Sequence, residues 1–398
     1  MQEQRFKVTV LIGTRPEAIK MAPVVKALQN AFSYEPRVLL SGQQMTMSKT
    51  ALQAFGVKSE NMLLHQRSDF SLSSQASGYL EAVSTYLKEK STDLMLVHGD
   101  TTTGFIGALA AFYQQIPVGH VEAGLRSYDL QNPFPEEAHR RLIDPLCTLL
   151  FAPTARARQN LVKENVDSRS IVVTGNTVVD AVQTLSNIPP SIDLKHRLTS
   201  FVKPDNRIIL LTAHRRENWG AAMNEICHAV RILADRYADL RFVIPVHPNP
   251  NVSRTVHTVL GDHPQMLLMP PLDYMDLIAV MRDAYLILTD SGGIQEEAPC
   301  VGTPVLILRG VTERPEVVEG GCGRLIGTRR EDIVGHTARL LECSILRNSM
   351  LPRQNPFGDG HASHRIVSAI GNWRYGRPLN FENKDFSFDV ESVFAANM

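Results

Sequence analysis

Short apolar runs alternate with amphipathic stretches along most of the chain, and this alternation restricts the fold more than any other feature. The runs Lys7–Ile12, Arg37–Leu40, Leu94–Val97, Pro117–Val121, Ile171–Val173, Ile208–Leu211, Arg241–Pro245, Leu267–Met269, Leu286–Leu288 and Val305–Leu308 read as strands. Helical spacing fills many of the gaps, as over Pro16–Phe32, Ser73–Lys88, Thr103–Gln114, Ala221–Arg236 and Glu331–Leu341. Strand and helix in alternation predict an α/β chain with parallel sheets and right-handed crossovers. At 398 residues there is enough chain for two domains, each burying its own core. The stretch "SNIPPSIDLKHRLTSFVKPDNR", residues 186 to 207, carries prolines and few hydrophobic repeats. It marks the boundary, giving a domain over 1–186, a linker over 187–206 and a second domain over 207–360. Residues 374–398, polar with phenylalanines at intervals, read as a tail.

Charge and cysteine usage narrow the partners. Lysine plus arginine equal aspartate plus glutamate at 41 each, so there is no general basic field for nucleic acid or acidic membranes. Any anion must be met locally. The five cysteines, Cys147, Cys227, Cys300, Cys322 and Cys343, are scattered, with no CxxC pair and no zinc-like spacing. They read as ordinary thiols of a reducing compartment. With no apolar run approaching about 20 residues, the expectation is a cytoplasmic protein without a metal.

In an open parallel sheet, ligands sit beyond the carboxyl ends of the strands. The segments there are "GTRPEAIK", "HGDTTT", "HVEAGLR", "AHRREN", "VHPNPN", "DSGGIQEEAP" and "RGVTERPE". Strand ends in both halves are polar, glycine-rich or charged, which points to one cleft between two facing domains. In "LIGTRPEAIKMAP" a turn glycine and an arginine precede Pro16, a residue suited to a first helical turn, so Arg15 stands at a socket for an anion. Ser291, Gly292 and Gly293 offer small residues whose N–H groups can approach a diphosphate closely. Glu297, further along the same segment, can accept the two hydroxyls of a ribose, and Arg314 adds charge for the same anion. A serine-capped helix start with an acidic first turn fits the segment equally well.

Asp100, Glu122 and Glu136, with His214, stand at strand or helix ends and are candidates for one proton-transfer site. Each carboxylate taken singly also fits a cap or an ion pair. His98 and His120, flanked by strand residues, read as satisfied core histidines, and His247 is open either way. Two nucleotide signatures are missing. No GxGxxG follows the first strand and no GxxxxGK[ST] occurs, so neither NAD nor a Walker-type site is supported.

The segments "GTRPEAIKMAP", "HGDTTT", "HVEAGLR", "FPEEAHRR", "TGNTVVDA", "HRREN", "VHPNPNV", "DSGGIQEEAP" and "TERPE" resemble, in order and spacing, the non-hydrolysing UDP-N-acetylglucosamine 2-epimerases. The likeness runs from Val8 to about Ile370. It implies two Rossmann-like domains in the glycosyltransferase-B arrangement, the second binding UDP, a C-terminal helix over 361–373 returning to the first domain, and a homodimer. It also implies reversible interconversion of UDP-GlcNAc and UDP-ManNAc with no cofactor, through elimination of UDP and re-addition to 2-acetamidoglucal. On this likeness Asp100, Glu122, Glu136 and His214 match the catalytic positions. Arg15, Ser291, Gly292, Gly293 and Arg314 steady the diphosphate, Glu297 holds the ribose, and Lys20 supports the wall of the first helix. A hydrolysing relative releasing ManNAc and UDP, a UDP-sugar glycosyltransferase of the same fold and a non-catalytic nucleotide-sugar sensor are the alternatives.

One departure stands out. Many bacterial members of that family hold a second UDP-GlcNAc as activator, with a Gln-His pair and a basic residue in the next loop. Here the pair is Gln43-Gln44, and Asp69 falls where the basic residue belongs. A carboxylate there repels a phosphate by roughly 3 kcal/mol at about 6 Å and an effective dielectric near 20, on the order of a hundredfold in affinity. Arg67, His247 and Arg215 are the cations left to such a subsite, so weak or absent activation is expected.

Overall fold

The computed structural model of the chain describes residues 5–61, 71–352 and 354–379. Its described residues divide into two compact units, one built on residues 5–181 together with 357–379, the other on Val182–Pro356. The first contains a seven-stranded sheet of β1 Phe6–Ile12, β2 Tyr34–Leu40, β3 Glu60–Asn61, β4 Leu94–His98, β5 Val118–Val121, β6 Leu149–Ala152 and β7 Ile171–Val173. The second contains a six-stranded sheet of β8 Arg207–Thr212, β9 Leu240–Pro245, β10 Met266–Met269, β11 Leu286–Thr289, β12 Val305–Ile307 and β13 Gly323–Leu325.

Every pairing is parallel. The spatial orders are β3-β2-β1-β4-β5-β6-β7 and β10-β9-β8-β11-β12-β13. Both sheets are therefore doubly wound, with switch points between β1 and β4 and between β8 and β11. Strands in such a sheet are covered on both faces. That is why β4 and β11 are buried along their whole length and read as unbroken apolar runs. In the second unit the core gathers Ile209, Phe242, Leu288 and Leu306 under the helix Ala221–Arg236, whose Ile226, Val230 and Leu233 face the sheet.

Three strands, β3, β6 and β13, were not among those expected, and the segment expected as a linker carries the helix Ile192–Phe201. Ser191 caps that helix, and its own N–H and hydroxyl donate to Asp276 at 2.7 Å each, which fastens the segment to the second unit. The C-terminal helix Ala362–Arg374 belongs to the first unit. Asp180 accepts the N–H groups of Ala362 (3.2 Å) and Ser363 (2.8 Å) and the Ser363 hydroxyl (2.6 Å), supplying the cap the helix lacks locally. Among the described residues no helix is long and apolar enough to cross a membrane.

Candidate active site

In the first unit the candidate residues follow β1, β2, β4 and β5, with Glu136 at the start of a helix. A Cβ on Gly13 would stand 2.2 Å from the Thr103 hydroxyl oxygen, so only glycine lets the turn after β1 rest against the start of the helix Thr102–Tyr113 that follows β4. Thr14 then caps the helix Arg15–Asn30, and Glu17 returns to it in a capping box. Glu17, fully buried, accepts the N–H groups of Gly13 (3.1 Å) and Thr14 (2.7 Å) and the hydroxyls of Thr14 (2.7 Å) and Thr101 (2.8 Å). One carboxylate thus joins the Arg15 turn to the Asp100 loop. Burial pushes its pKa up, against the pull of the bonds from Thr14 and Thr101. Arg15 is half-buried, and its N–H donates to Gln44 Oε1 at 3.0 Å. Gln43 Oε1 accepts from the Thr103 hydroxyl at 3.0 Å, so both glutamines brace this turn. Arg67 and Asp69 lie outside the described residues.

The three carboxylates have three different surroundings. Asp100 Oδ2 accepts Arg140 Nε at 2.9 Å and Nη2 at 2.6 Å, while His139 Nδ1 donates to the Asp100 carbonyl at 2.9 Å. Arg140 also reaches Glu137 at 3.1 Å, and Glu137 accepts the N–H groups of Ser127 and Tyr128. Glu136 opens the same helix, Glu136–Ile143, and its Oε2 is buried with no hydrogen-bond partner among the described residues. Glu122, just after β5, has φ +69°, a left-handed backbone rare for a residue with a side chain and typical of functional sites. Its Oε2 is held in a buried ion pair with Lys20 and accepts Asn176 Nδ2 at 3.0 Å.

The two strand histidines differ. His120 is satisfied as expected, with Nδ1 2.6 Å from Asp144 Oδ1 and Nε2 2.8 Å from the Gly99 carbonyl. His98 is buried too, but its Nε2 has no hydrogen-bond partner among the described residues and lies 3.7 Å from Glu122 Oε2. The expectation of a satisfied core histidine is corrected at that nitrogen.

In the second unit the organising group is Asp290, wholly buried at the end of β11. It accepts the N–H of His214 at 2.9 Å, the N–H of Arg215 at 2.9 Å and Asn218 Nδ2 at 2.9 Å, fixing the loop after β8 across the switch point. The His214 ring stacks on His247, which follows β9, with centroids 5.6 Å apart and planes 11° apart. Burial lowers the His214 pKa; Asp290 opposes the shift, and Arg215 and His247 add to it. Ser291 stands at the N-cap position of the short helix Gly292–Glu297 without a side-chain capping bond among the described residues, and its N–H donates to Thr289 Oγ1 at 3.0 Å. A Cβ on Gly292 would come within 2.8 Å of Arg314 Nη1, so the glycine admits the guanidinium to this helix start. Arg314 is itself paired with Glu296 (2.7 Å) and Glu313 (2.6 Å). Burial acts to raise the Glu313 pKa, but Arg314, Arg309 and Arg215 outweigh it and bring it down to about 2. Glu297 is buried beside Gly293.

Sequence reasoning missed Glu17, Glu137, Asn176 and Asp290 as organising groups. For Glu17 a signal was present, since Thr14-Arg-Pro-Glu17 is a capping box. Nothing local distinguishes the partners of Asn176 or Asp290, which come from distant strands.

A family model described as UDP-N-acetylglucosamine 2-epimerase matches residues 26–371. The chain belongs to the UDP-N-acetylglucosamine 2-epimerase family. The epimerase "UDP-N-acetylglucosamine 2-epimerase" of Escherichia coli K12 is 45% identical over 373 residues, covering 93% of this chain and 99% of its own. The Staphylococcus aureus structure of MnaA with UDP superposes with a TM-score of 0.86 at 43% identity, covering 94% of this chain and all of that one. The Neisseria meningitidis UDP-GlcNAc 2-epimerase bound to UDP-GlcNAc gives 0.87 at 40% identity, with 92% and 100% covered. The α/β fold with two parallel sheets is thus the GT-B-like fold of solved epimerases.

Proposed function

We propose that the protein is a non-hydrolysing epimerase that interconverts UDP-GlcNAc and UDP-ManNAc at C2. The observation that carries the reading is the trio Asp100, Glu122 and Glu136 in three distinct environments, within a chain that belongs to this family over nearly its whole length. The sugar C2–H is not next to a carbonyl, so removing its proton needs a departing group. A base takes the C2 proton, the C–H electron pair forms the C1–C2 double bond, and the C1–O bond breaks with its electrons leaving on UDP. Protonation of C2 from the other face and attack by the diphosphate oxygen on C1 complete the inversion.

Two faces require two proton carriers. Asp100, aimed by Arg140, and Glu136, with its unpartnered buried oxygen, are assigned to C2, and Glu122 relays or tunes between them. Arg15, Lys20, Ser291, Gly292, Gly293 and Arg314 stabilise the diphosphate as it leaves, Glu297 holds the ribose, and neutral His214 donates to the diphosphate. Retention of UDP rather than water as the second nucleophile separates this reading from a hydrolysing enzyme. The motif resemblance to non-hydrolysing members supports it. The exposed side chains of Phe112, Tyr113 and Leu142 are consistent with a homodimer, and five unpaired cysteines fit a cytoplasmic protein.

Incubation with UDP-GlcNAc alone, followed by phosphorus and proton NMR, tests the reading. The expected result is a stable mixture of two UDP-sugars. Steady accumulation of free ManNAc with UDP would replace it with the hydrolysing alternative.

A further inference from the structure

His98 closes β4 next to the Asp100 loop and is buried, yet its Nε2 has no hydrogen-bond partner among the described residues. Buried ring nitrogens are ordinarily bonded, and an orphan beside a functional carboxylate requires a reason. The atom it faces is Glu122 Oε2 at 3.7 Å. That is too long for a hydrogen bond, but a shift of about 0.7 Å would make one. The same oxygen is already held by Lys20 and Asn176. Lys20 is the cation among these partners, and a diphosphate arriving beside Arg15 competes for it. Glu122 would then keep Asn176, with His98 Nε2 standing 3.7 Å from the same oxygen. β4 and β5 are paired with His98 opposite Val121, the residue before Glu122, so the two side chains leave adjacent strand ends.

We propose that His98 is a positioning residue for Glu122. When Lys20 turns to the anionic substrate, His98 Nε2–H donates to Glu122 Oε2 and keeps that carboxylate in place while the C2 proton moves. The inference rests on the role given to Glu122 above and adds a residue to it.

The test compares His98→Gln, whose amide N–H stands near the Nε2 position, with His98→Asn, whose amide falls short of it. For His98→Asn, kcat is expected to fall roughly 10- to 100-fold with KM for UDP-GlcNAc within about twofold, the pattern of an interaction made in the reacting state. His98→Gln should recover kcat to within about threefold of the wild type. Wild-type kcat in His98→Asn, or equal losses in both variants, would overturn the proposal. If His98→Asn fails to fold, wild-type protein carrying ¹⁵N-histidine decides the matter on titration with UDP. A new hydrogen-bonded Nε2–H signal from His98, absent in Glu122→Ala, whose side chain has no acceptor, supports the exchange, and an unmoved signal refutes it. Wild-type exchange of the C2 hydrogen, measured in parallel, tests the epimerase reading separately.

Discussion

Asp100, Glu122 and Glu136 each stand where a short side chain leaves a strand end or opens a helix, and each has a different set of partners. Changing any of them to its amide keeps the shape and removes the base, so kcat should fall by roughly 10² to 10⁴, while UDP affinity measured by calorimetry changes little. Near-normal turnover in two of the three variants would contradict the assignment. His214 carries a pH signature. Its pKa is lowered chiefly by burial, so the folded chain holds it neutral and takes up a proton less readily than the unfolded chain. Its contribution to stability is complete above the unfolded value of about 6.5 and is lost as pH falls through the folded pKa. Thermal melts should therefore show wild-type Tm dropping more steeply below about pH 6.5 than the Tm of His214→Gln. Gln44 bears on regulation, because its side chain is engaged with the Arg15 N–H. UDP-ManNAc alone should be converted without a lag and with hyperbolic kinetics. If it stays inert until a trace of UDP-GlcNAc is added, a working activator subsite exists. The placement of the carboxylates at strand ends and a helix start was legible in the sequence. Their partners were not: Arg140 and Asn176 reach Asp100 and Glu122 from 40 and 54 residues away.

At the level of elements, the turn after β1 and the loop after β4 behave as one piece because Glu17 bonds both. Glu17→Ala would leave the Gly13 and Thr14 N–H groups without their acceptor, at a cost of about 3 kcal/mol, or very roughly 5 to 10 °C in Tm for a unit of this size. It should also lower kcat, since Thr101 adjoins Asp100. A Tm within about 1 °C of wild type would show that the two loops hold their places without it. Ten strands and the long helices were readable because two-sided burial writes them as apolar runs and one-sided burial as helical periodicity. The helix Ala221–Arg236 is found at its expected bounds. The strands that escaped carry little sequence signal, although β6 is buried throughout. β3 has two residues, β13 is Gly-Arg-Leu, and β6 is a four-residue run wedged between Cys147-Thr148 and Pro153. The helix Ile192–Phe201 escaped because only Leu194 in it is buried, so its spacing carries little hydrophobic signal.

For the whole molecule, the two doubly wound units bring the chemistry-bearing segments to strand ends at each switch point, the first unit offering carboxylates and the second a cation cluster with a glycine-lined helix start. The proposed elimination needs both kinds of group, one to handle a proton and another to meet a leaving diphosphate. The central claim is that the C2 hydrogen leaves as a proton and is replaced from solvent. Incubating the protein with UDP-GlcNAc in D₂O, with no NAD or metal added, and following the sugar by proton NMR tests it directly. The account predicts deuterium at C2 of the UDP-ManNAc formed and, with time, at C2 of the recovered UDP-GlcNAc. Epimerised product that retains its original C2 hydrogen, or turnover that depends strictly on added NAD, would contradict it.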